Sequence, residues 1–178
     1  MSRKLKIALK TFSVLLLLYG CYLWYLAEQG NFHPITPGSA YRSAQLDRDE
    51  LEHYIRKYRI KSILNLRNDT ANAAWYEEEL KISAEHGLVY YHVPLSAKRE
   101  PKKESVEKII DVFNSAPRPI LIHCKAGADR TGLAAAIWKV VVDKEPKNQA
   151  EKQLSIRFFH FPIGGPAALD RFFDRWQP

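Results

Sequence analysis

Apolar and polar residues follow one another along the chain in patterns that predict strands and helices in turn. Short apolar runs bounded by turn residues predict strands at residues 40–43, 61–66, 88–93 and 119–123. Apolar positions three and four apart predict helices at residues 47–58, 74–86, 102–114, 131–143, 147–158 and 166–176. Strands that alternate with helices indicate a single α/β domain, with a central, mainly parallel sheet of about four to five strands flanked by helices.

The N-terminal region has a different pattern. Residues 1–10 contain four cations and no acidic residue, and residues 11–27 carry no charge. As a helix, this apolar run would be about 25 Å long, close to the thickness of a bilayer core. Aromatic residues at its far end suit the membrane interface; they are Tyr22, Trp24 and Tyr25. We therefore expect a basic cytoplasmic tail (1–10), a transmembrane signal anchor (11–27), a linker (28–40) and a globular domain (41–178).

The orientation of this anchor follows from the positive-inside rule. The basic tail stays in the cytoplasm and the domain crosses to the extracytoplasmic side, which is the periplasm in a bacterium. A cleaved signal peptide is the first alternative, but no A-x-A-like site precedes Glu28. A lipoprotein signal at Cys21 fits poorly with Tyr19 and with the apolar residues that continue beyond the cysteine. The one-sided charge argues against a buried N-terminal helix.

Charge and cysteine content exclude some kinds of site. The net charge is +7, but without the first ten residues the chain has 23 basic and 20 acidic side chains. With no nucleic-acid-binding motif present, we expect no nucleic-acid partner. The chain has two cysteines, and Cys21 lies in the anchor, which leaves Cys124 alone in the domain. An intradomain disulfide and a metal site built on cysteines are therefore excluded, and we predict no cofactor.

The loop at residues 123–132, with the sequence HCKAGADRTG, carries the chemistry. An apolar strand leads into it and a helix follows it. The small residues Ala126, Gly127 and Ala128 allow the backbone N–H groups to curl inward as an anion-binding nest, to which the helix N-terminus adds its dipole. We expect Cys124 to react there as a thiolate. The guanidinium of Arg130 can bind two phosphate oxygens at once. The loop therefore suits in-line attack of sulfur on phosphorus.

These residues resemble the C-x5-R signature of the protein tyrosine and dual-specificity phosphatase superfamily. Residues 37–46 and 61–69 also resemble the first strands of small bacterial dual-specificity phosphatases, some of which are periplasmic, and the likeness extends through most of residues 34–145. The resemblance implies that Cys124 is the nucleophile and Arg130 the clamp on the transition state. It also implies that His123 orients the thiolate and that Thr131 donates its hydroxyl to the sulfur.

The chain departs from the superfamily pattern at the general acid. Members of the superfamily normally carry an aspartate on the loop after the third strand. The equivalent loop here, residues 94–101, contains no aspartate. Asp129 is the preferred candidate, because some members that act on phosphoinositides carry an aspartate before the arginine. Glu100 is the first alternative, and the absence of a dedicated acid is the second. Lys125 follows the cysteine as in phosphatases of inositol lipids, so it is a candidate contact for a second negative group, or it is simply solvated.

The substrate class stays open at this point. A phosphorylated protein is the leading expectation, and a phospholipid or inositol phosphate at the membrane surface is the alternative. The basic run at residues 98–103 would attract anionic headgroups. Four apolar residues would form an exposed lip that strengthens this attraction to a membrane; they are Phe158, Phe159, Phe161 and Ile163. The alternative is that these residues belong to the core. A non-catalytic phosphate-binding module and sulfur transfer of the rhodanese kind are the remaining alternatives.

Overall fold

The computed structural model describes residues 2–68 and 71–178. The helices are α1 (Arg3–Glu28), α2 (Arg48–Tyr58), α3 (Ala74–Glu85), α4 (Lys103–Ser115), α5 (Asp129–Val141), α6 (Lys147–Ala150) and α7 (Ala167–Arg175). The strands are β1 (His33–Thr36), β2 (Ala40–Ser43), β3 (Ser62–Asn65), β4 (Val89–His92) and β5 (Ile120–His123). Two 3-10 turns, Glu151–Gln153 and Ile156–Phe158, lie between α6 and α7.

One five-stranded sheet organises the domain, in the order β1-β2-β5-β3-β4. β1 is antiparallel to β2, and all other neighbours are parallel. The predicted α/β fold with a mainly parallel sheet is confirmed. Alternate residues of the central strand β5 point to opposite faces. Ile120 and Ile122 pack in the core with α4, α5 and α7, and Leu121 packs with α2 and α3.

Local sequence signals explain several element boundaries. Asp47 caps α2 as predicted: its side chain accepts from Glu50 N at 2.9 Å, and Glu50 Oε2 accepts from Asp47 N at 3.0 Å. Gly87 adopts a φ of +65° just beyond the end of α3. α5 starts at Asp129, two residues earlier than predicted, so the last residues of the signature loop form its first turn.

The predicted linker at residues 28–40 is wrong for part of its length. Residues 33–36 form the edge strand β1, with His33 paired to Arg42 of β2. Pro34 and the short length obscured this strand, yet proline is tolerated on an edge strand because one side of that strand needs no donor. The domain therefore begins before residue 41.

The predicted helix at residues 147–158 is also wrong. α6 ends at Ala150 and two 3-10 turns follow. The backbone carbonyl of Gln153 accepts a hydrogen bond from the Arg42 side chain at 2.9 Å. A helical pattern would have used that carbonyl within the helix, so a tertiary contact replaces local structure here.

The helix α1 is long and apolar enough to cross a membrane. The described side chains along its length are exposed. A membrane anchor and a signal sequence near an N-terminus share this length and composition. The side chains of residues 23–28, which include the predicted interfacial Trp24 and Tyr25, lie outside the described part of the structure.

Candidate active site

The loop from Cys124 to Ala128 joins the central strand β5 to α5. Cys124 follows the last residue of β5 and is 2% exposed, with a free thiol. Gly127 has a φ of +66°, and a Cβ at this position would lie 2.5 Å from the backbone nitrogen of Ala44. Only glycine fits there, because β2 passes directly behind the loop. Of the small residues that the sequence analysis singled out, Gly127 is therefore required by close packing of two backbone segments.

The carbonyl groups of this loop are held from outside. Each of four successive carbonyls accepts a hydrogen bond from a donor behind the loop, so the backbone N–H groups of the loop remain available to bind an anion. The pairs are Gln45 N to Lys125 O (3.2 Å), Asn31 Nδ2 to Ala126 O (3.0 Å), Arg42 Nη2 to Gly127 O (2.9 Å) and Arg42 Nη2 to Ala128 O (3.3 Å). This arrangement suits the binding of an anion such as a phosphoryl group.

Arg42 is the largest of these supports, and the sequence analysis did not assign it a role. It is fully buried in β2, and it also donates to the carbonyl and side-chain oxygens of Gln153 at 2.9 and 2.8 Å. Its guanidinium lies 3.9 Å above the ring centroid of Phe158. Burial lowers the pKa of Arg42 to about 9, and the nearby Cys124 opposes that shift. The signal that the sequence offered for this role was a charged residue within β2, a strand whose residues are all buried.

Arg130 and Thr131 lie in the first turn of α5, next to the loop. Arg130 is 8% exposed and donates through Nη1 to Asn68 Oδ1 at 3.3 Å. Its Nε and the hydroxyl of the fully buried Thr131 have no hydrogen-bond partner within the described part of the chain. A buried polar group without a partner is costly, so such groups are typical of sites that bind a ligand or react.

His123 precedes Cys124 and contacts a buried carboxylate. His123 Nε2 lies 3.1 Å from Glu79 Oε1, and both side chains are buried. Glu79 also accepts from Gln45 Nε2 at 2.6 Å and from the Tyr90 hydroxyl. Burial by itself raises the pKa of Glu79, but the His123 charge and the hydrogen bonds outweigh it and hold the pKa below the usual value. Glu79 was not predicted, although an acidic residue on the buried face of α3 was visible in the sequence.

Asp129 is held by a second buried histidine, which sequence reasoning missed. His160 Nδ1 lies 2.8 Å from Asp129 Oδ1, and His160 Nε2 lies 2.9 Å from Asp170 Oδ2. His160 is fully buried. Burial by itself lowers the pKa of His160, but the two carboxylates outweigh it, so the pKa is raised. No fixed spacing links these residues, so no sequence signal pointed to them.

The other predicted contacts are arranged differently. Glu100 accepts from Arg175 Nη2 at 2.6 Å and lies 4.0 Å from Arg171 Nε, so its carboxylate faces α7. Lys125 is exposed at the loop.

Lys98 of the basic run packs against Gly165, which lies two residues beyond Ile163 of the predicted apolar lip. The lip divides into two parts. Phe158 is buried beneath Arg42, whereas Phe161 and Ile163 are 43% and 77% exposed.

Some known proteins are similar to this chain in sequence, and others are similar in structure. NAD kinase 2, chloroplastic, of Arabidopsis thaliana is 28% identical over 101 residues, which are 56% of this chain and 10% of that protein. The chain thus spans about a tenth of that curated relative. TpbA of P. aeruginosa in complex with pTyr aligns with a TM-score of 0.63 and 22% identity over 82% of this chain and 84% of TpbA. The core catalytic domain of the PP-IP phosphatase SIW14 of S. cerevisiae, in complex with citrate, aligns with a TM-score of 0.66 and 23% identity over 83% and 85% of the two chains.

The family assignment comes from a match over most of the domain. The family described as "DSP-PTPase phosphatase fused to NAD+ Kinase" matches residues 37–162. This range includes β2, β5 and the whole loop between β5 and α5. The solved structures agree in fold. The chain therefore belongs to this family of cysteine-based dual-specificity and tyrosine phosphatases.

Proposed function

We propose that the protein hydrolyses phosphomonoesters through a cysteinyl-phosphate intermediate, with phosphorylated protein side chains as its leading substrates. The observation that supports this most strongly is the loop itself. Outside donors hold its four carbonyls, and Cys124 stands at its start with Arg130 at its end. A phosphoryl group seated on the loop amides would meet the sulfur on one side and the guanidinium on its oxygens.

In the first step the Cys124 thiolate attacks phosphorus and the bond to the leaving oxygen breaks. The leaving oxygen takes a proton from Asp129, and the cysteinyl-phosphate remains. In the second step water attacks phosphorus, its proton goes to Asp129, and the sulfur–phosphorus bond breaks to release phosphate. Arg130 stabilises the equatorial oxygens in both steps, and the unpartnered hydroxyl of Thr131 donates to the departing sulfur. His123 orients Cys124 from the strand side.

Asp129 is our candidate for the general acid. It lies in the first turn of α5 beside Arg130 and keeps 22% of its side chain exposed. The alternative, Glu100, is engaged by Arg175 and Arg171 of α7. These contacts support the choice of Asp129.

A phosphotyrosine or other phosphoprotein substrate fits the fold, since the TpbA structure is a complex with pTyr. A phospholipid or inositol phosphate at a membrane surface is the second candidate, and one contact favours it. Asn31 bonds the loop carbonyl of Ala126, and α1 ends at Glu28. Three residues span at most about 11 Å, so an anchored α1 would hold the loop close to the bilayer on the extracytoplasmic side. The exposed Lys125 and Ile163 suit that surface.

The first experiment measures para-nitrophenyl phosphate hydrolysis by the full chain in detergent, beside Cys124→Ser. We expect turnover in the wild type and none in the variant, with vanadate still bound by the wild type as a phosphate analogue. A wild-type protein that binds vanadate and releases no phosphate would instead be a binding module. Cyanide-dependent turnover of thiosulfate would indicate sulfur transfer.

The two substrate classes are separated by a second assay, on the full chain reconstituted in vesicles. A phosphotyrosine peptide is compared with a long-chain phosphoinositide in the same vesicles and with its short-chain soluble form. Preference for the peptide supports the leading proposal. Faster hydrolysis of the vesicle-borne lipid than of the soluble lipid, reduced by Ile163→Ser, would favour the second candidate.

A further inference from the structure

His160 is a buried imidazole with a carboxylate at each ring nitrogen. Nδ1 contacts Asp129 Oδ1 at 2.8 Å and Nε2 contacts Asp170 Oδ2 at 2.9 Å. The three residues come from three places: Asp129 opens α5, Asp170 belongs to α7, and His160 lies on the segment between the 3-10 turns and α7. The backbone N–H of His160 also donates to Ser155 O at 3.1 Å, which fixes the segment. One end of this chain of contacts therefore lies in the catalytic loop.

We propose that His160, held in place by Asp170, is a positioning residue that aims the carboxylate of Asp129 at the leaving oxygen of the substrate. The proposal rests on the proposed function, in which Asp129 exchanges the proton. His160 does not touch the substrate in this arrangement and acts through Asp129 alone.

The geometry leaves one carboxylate oxygen of Asp129 fixed and the other available. His160 binds Oδ1, while Oδ2 accepts no hydrogen bond from any residue the structure describes. The Asp129 side chain is 22% exposed and His160 is fully buried, so the fixed oxygen faces the interior. A carboxylate with one oxygen bound has few rotamers left, and a general acid needs that restriction, since small misplacements cost large factors in rate. Oδ2 is then the atom that gives a proton to the leaving oxygen and later takes one from water.

Charge balance explains why two carboxylates flank one imidazole. Both ring nitrogens contact a carboxylate oxygen, and only the protonated imidazolium donates from both. Its charge stabilises the Asp129 carboxylate that forms when the proton leaves. Asp170 supplies the second negative charge beside the imidazolium and holds its Nε2 side at 2.9 Å.

Two substitutions of His160 separate its two contacts. In His160→Asn the amide nitrogen can take the place of Nδ1 and keep the bond to Asp129. In His160→Gln the amide nitrogen can take the place of Nε2 and keep the bond to Asp170. The full chain in detergent is assayed with para-nitrophenyl phosphate and with phenyl phosphate, whose leaving group needs protonation more. Vanadate inhibition reports whether the loop is intact. His53→Gln, a substitution of an exposed histidine on α2, is the matched control.

We expect His160→Gln to lower kcat for phenyl phosphate about 10- to 100-fold, within the range that general acid catalysis contributes. Its effect on para-nitrophenyl phosphate should be smaller, with vanadate inhibition little changed. His160→Asn should retain more activity than His160→Gln, and His53→Gln should match the wild type. In an Asp129→Asn background the effect of His160→Gln should vanish, because the residue through which it acts is already disabled.

The inference is overturned if His160→Gln slows both substrates equally and weakens vanadate inhibition, since His160 is then only a structural brace. An effect that persists in full beside Asp129→Asn also overturns it. If Asp129→Asn itself leaves the ratio of the two substrates unchanged, the assignment of the acid has failed. If Asp129→Asn changes that ratio and His160→Gln does not, the proposed function stands and only the role of His160 is rejected.

Discussion

Two histidines flank the catalytic loop, each against a carboxylate, and their surroundings differ. On the His123 side, which comprises His123, Glu79 and Tyr90, the carboxylate is 4% exposed and its oxygens are occupied by donors. On the His160 side, which comprises His160, Asp129 and Asp170, the histidine is buried but its carboxylates are 22% and 28% exposed.

The difference indicates which side is better suited to exchange protons during a reaction. A carboxylate that is enclosed and fully hydrogen-bonded stays ionised and serves as a rigid support. A carboxylate with a free oxygen near solvent can take up and release a proton. We therefore infer that the His123 side contributes mainly to stability and to the orientation of Cys124, and the His160 side to proton transfer.

Of the substitutions that test this comparison, Glu79→Gln is expected to lower the free energy of unfolding most. Removing one partner of a buried charged network leaves His123 without its carboxylate, and breaking such pairs typically costs about 3–5 kcal/mol of unfolding free energy. Urea unfolding of the full chain in detergent measures the loss.

Its matched control is the neighbouring Glu78→Gln. Glu78 forms an exposed ion pair with Arg48 at 3.1 Å, and such pairs contribute about 0–1 kcal/mol. Equal losses from the two substitutions would contradict the structural role of the His123 side.

Arg42→Lys should have an intermediate effect, on the loop that lies between the two sides. Arg42 joins the carbonyls of Gly127 and Ala128 to Gln153, and one ammonium cannot reproduce that fork. Losing hydrogen bonds to a charged group costs about 1.5–3 kcal/mol each, so the inhibition constant for vanadate should rise about 10-fold or more. Arg48→Lys, on the surface of α2, should leave it unchanged. If vanadate inhibits Arg42→Lys as it does the wild type, the loop does not depend on this support.

The sequence predicted the parts of the site that are contiguous in the chain. Cys124, Arg130 and Thr131 lie within eight residues, so their spacing and the flanking strand and helix were readable. The supports come from elsewhere: Asn31 is 95 positions from Ala126, and His160 is 31 positions from Asp129. Such contacts depend on tertiary packing, which no local pattern encodes.

The errors in the fold have the same origin. β1 is four residues long and contains a proline, so only its pairing with β2 identifies it as a strand. The chain after α6 leaves the helical conformation where the Gln153 carbonyl bonds Arg42. By contrast, the buried apolar strand β5 and the capped helix α2 were predictable, because their patterns reflect burial and local hydrogen bonds.

The smallest expected effect is the pH dependence of stability, which has opposite signs on the His160 side and the His123 side. The pKa of His160 is raised in the folded protein by Asp129 and Asp170, despite its burial. Its contribution to stability is therefore fully present below the ordinary histidine pKa of about 6.5 and is lost as the pH rises through the folded value. The pKa of Glu79 is lowered, so its contribution is lost as the pH falls. We expect the difference in unfolding free energy between wild type and His160→Gln to shrink as the pH rises above about 6.5, while the difference for His53→Gln stays flat. A difference that grows with pH would mean that His160 is neutral in the folded protein, and the charge balance drawn for Asp129 would then be wrong.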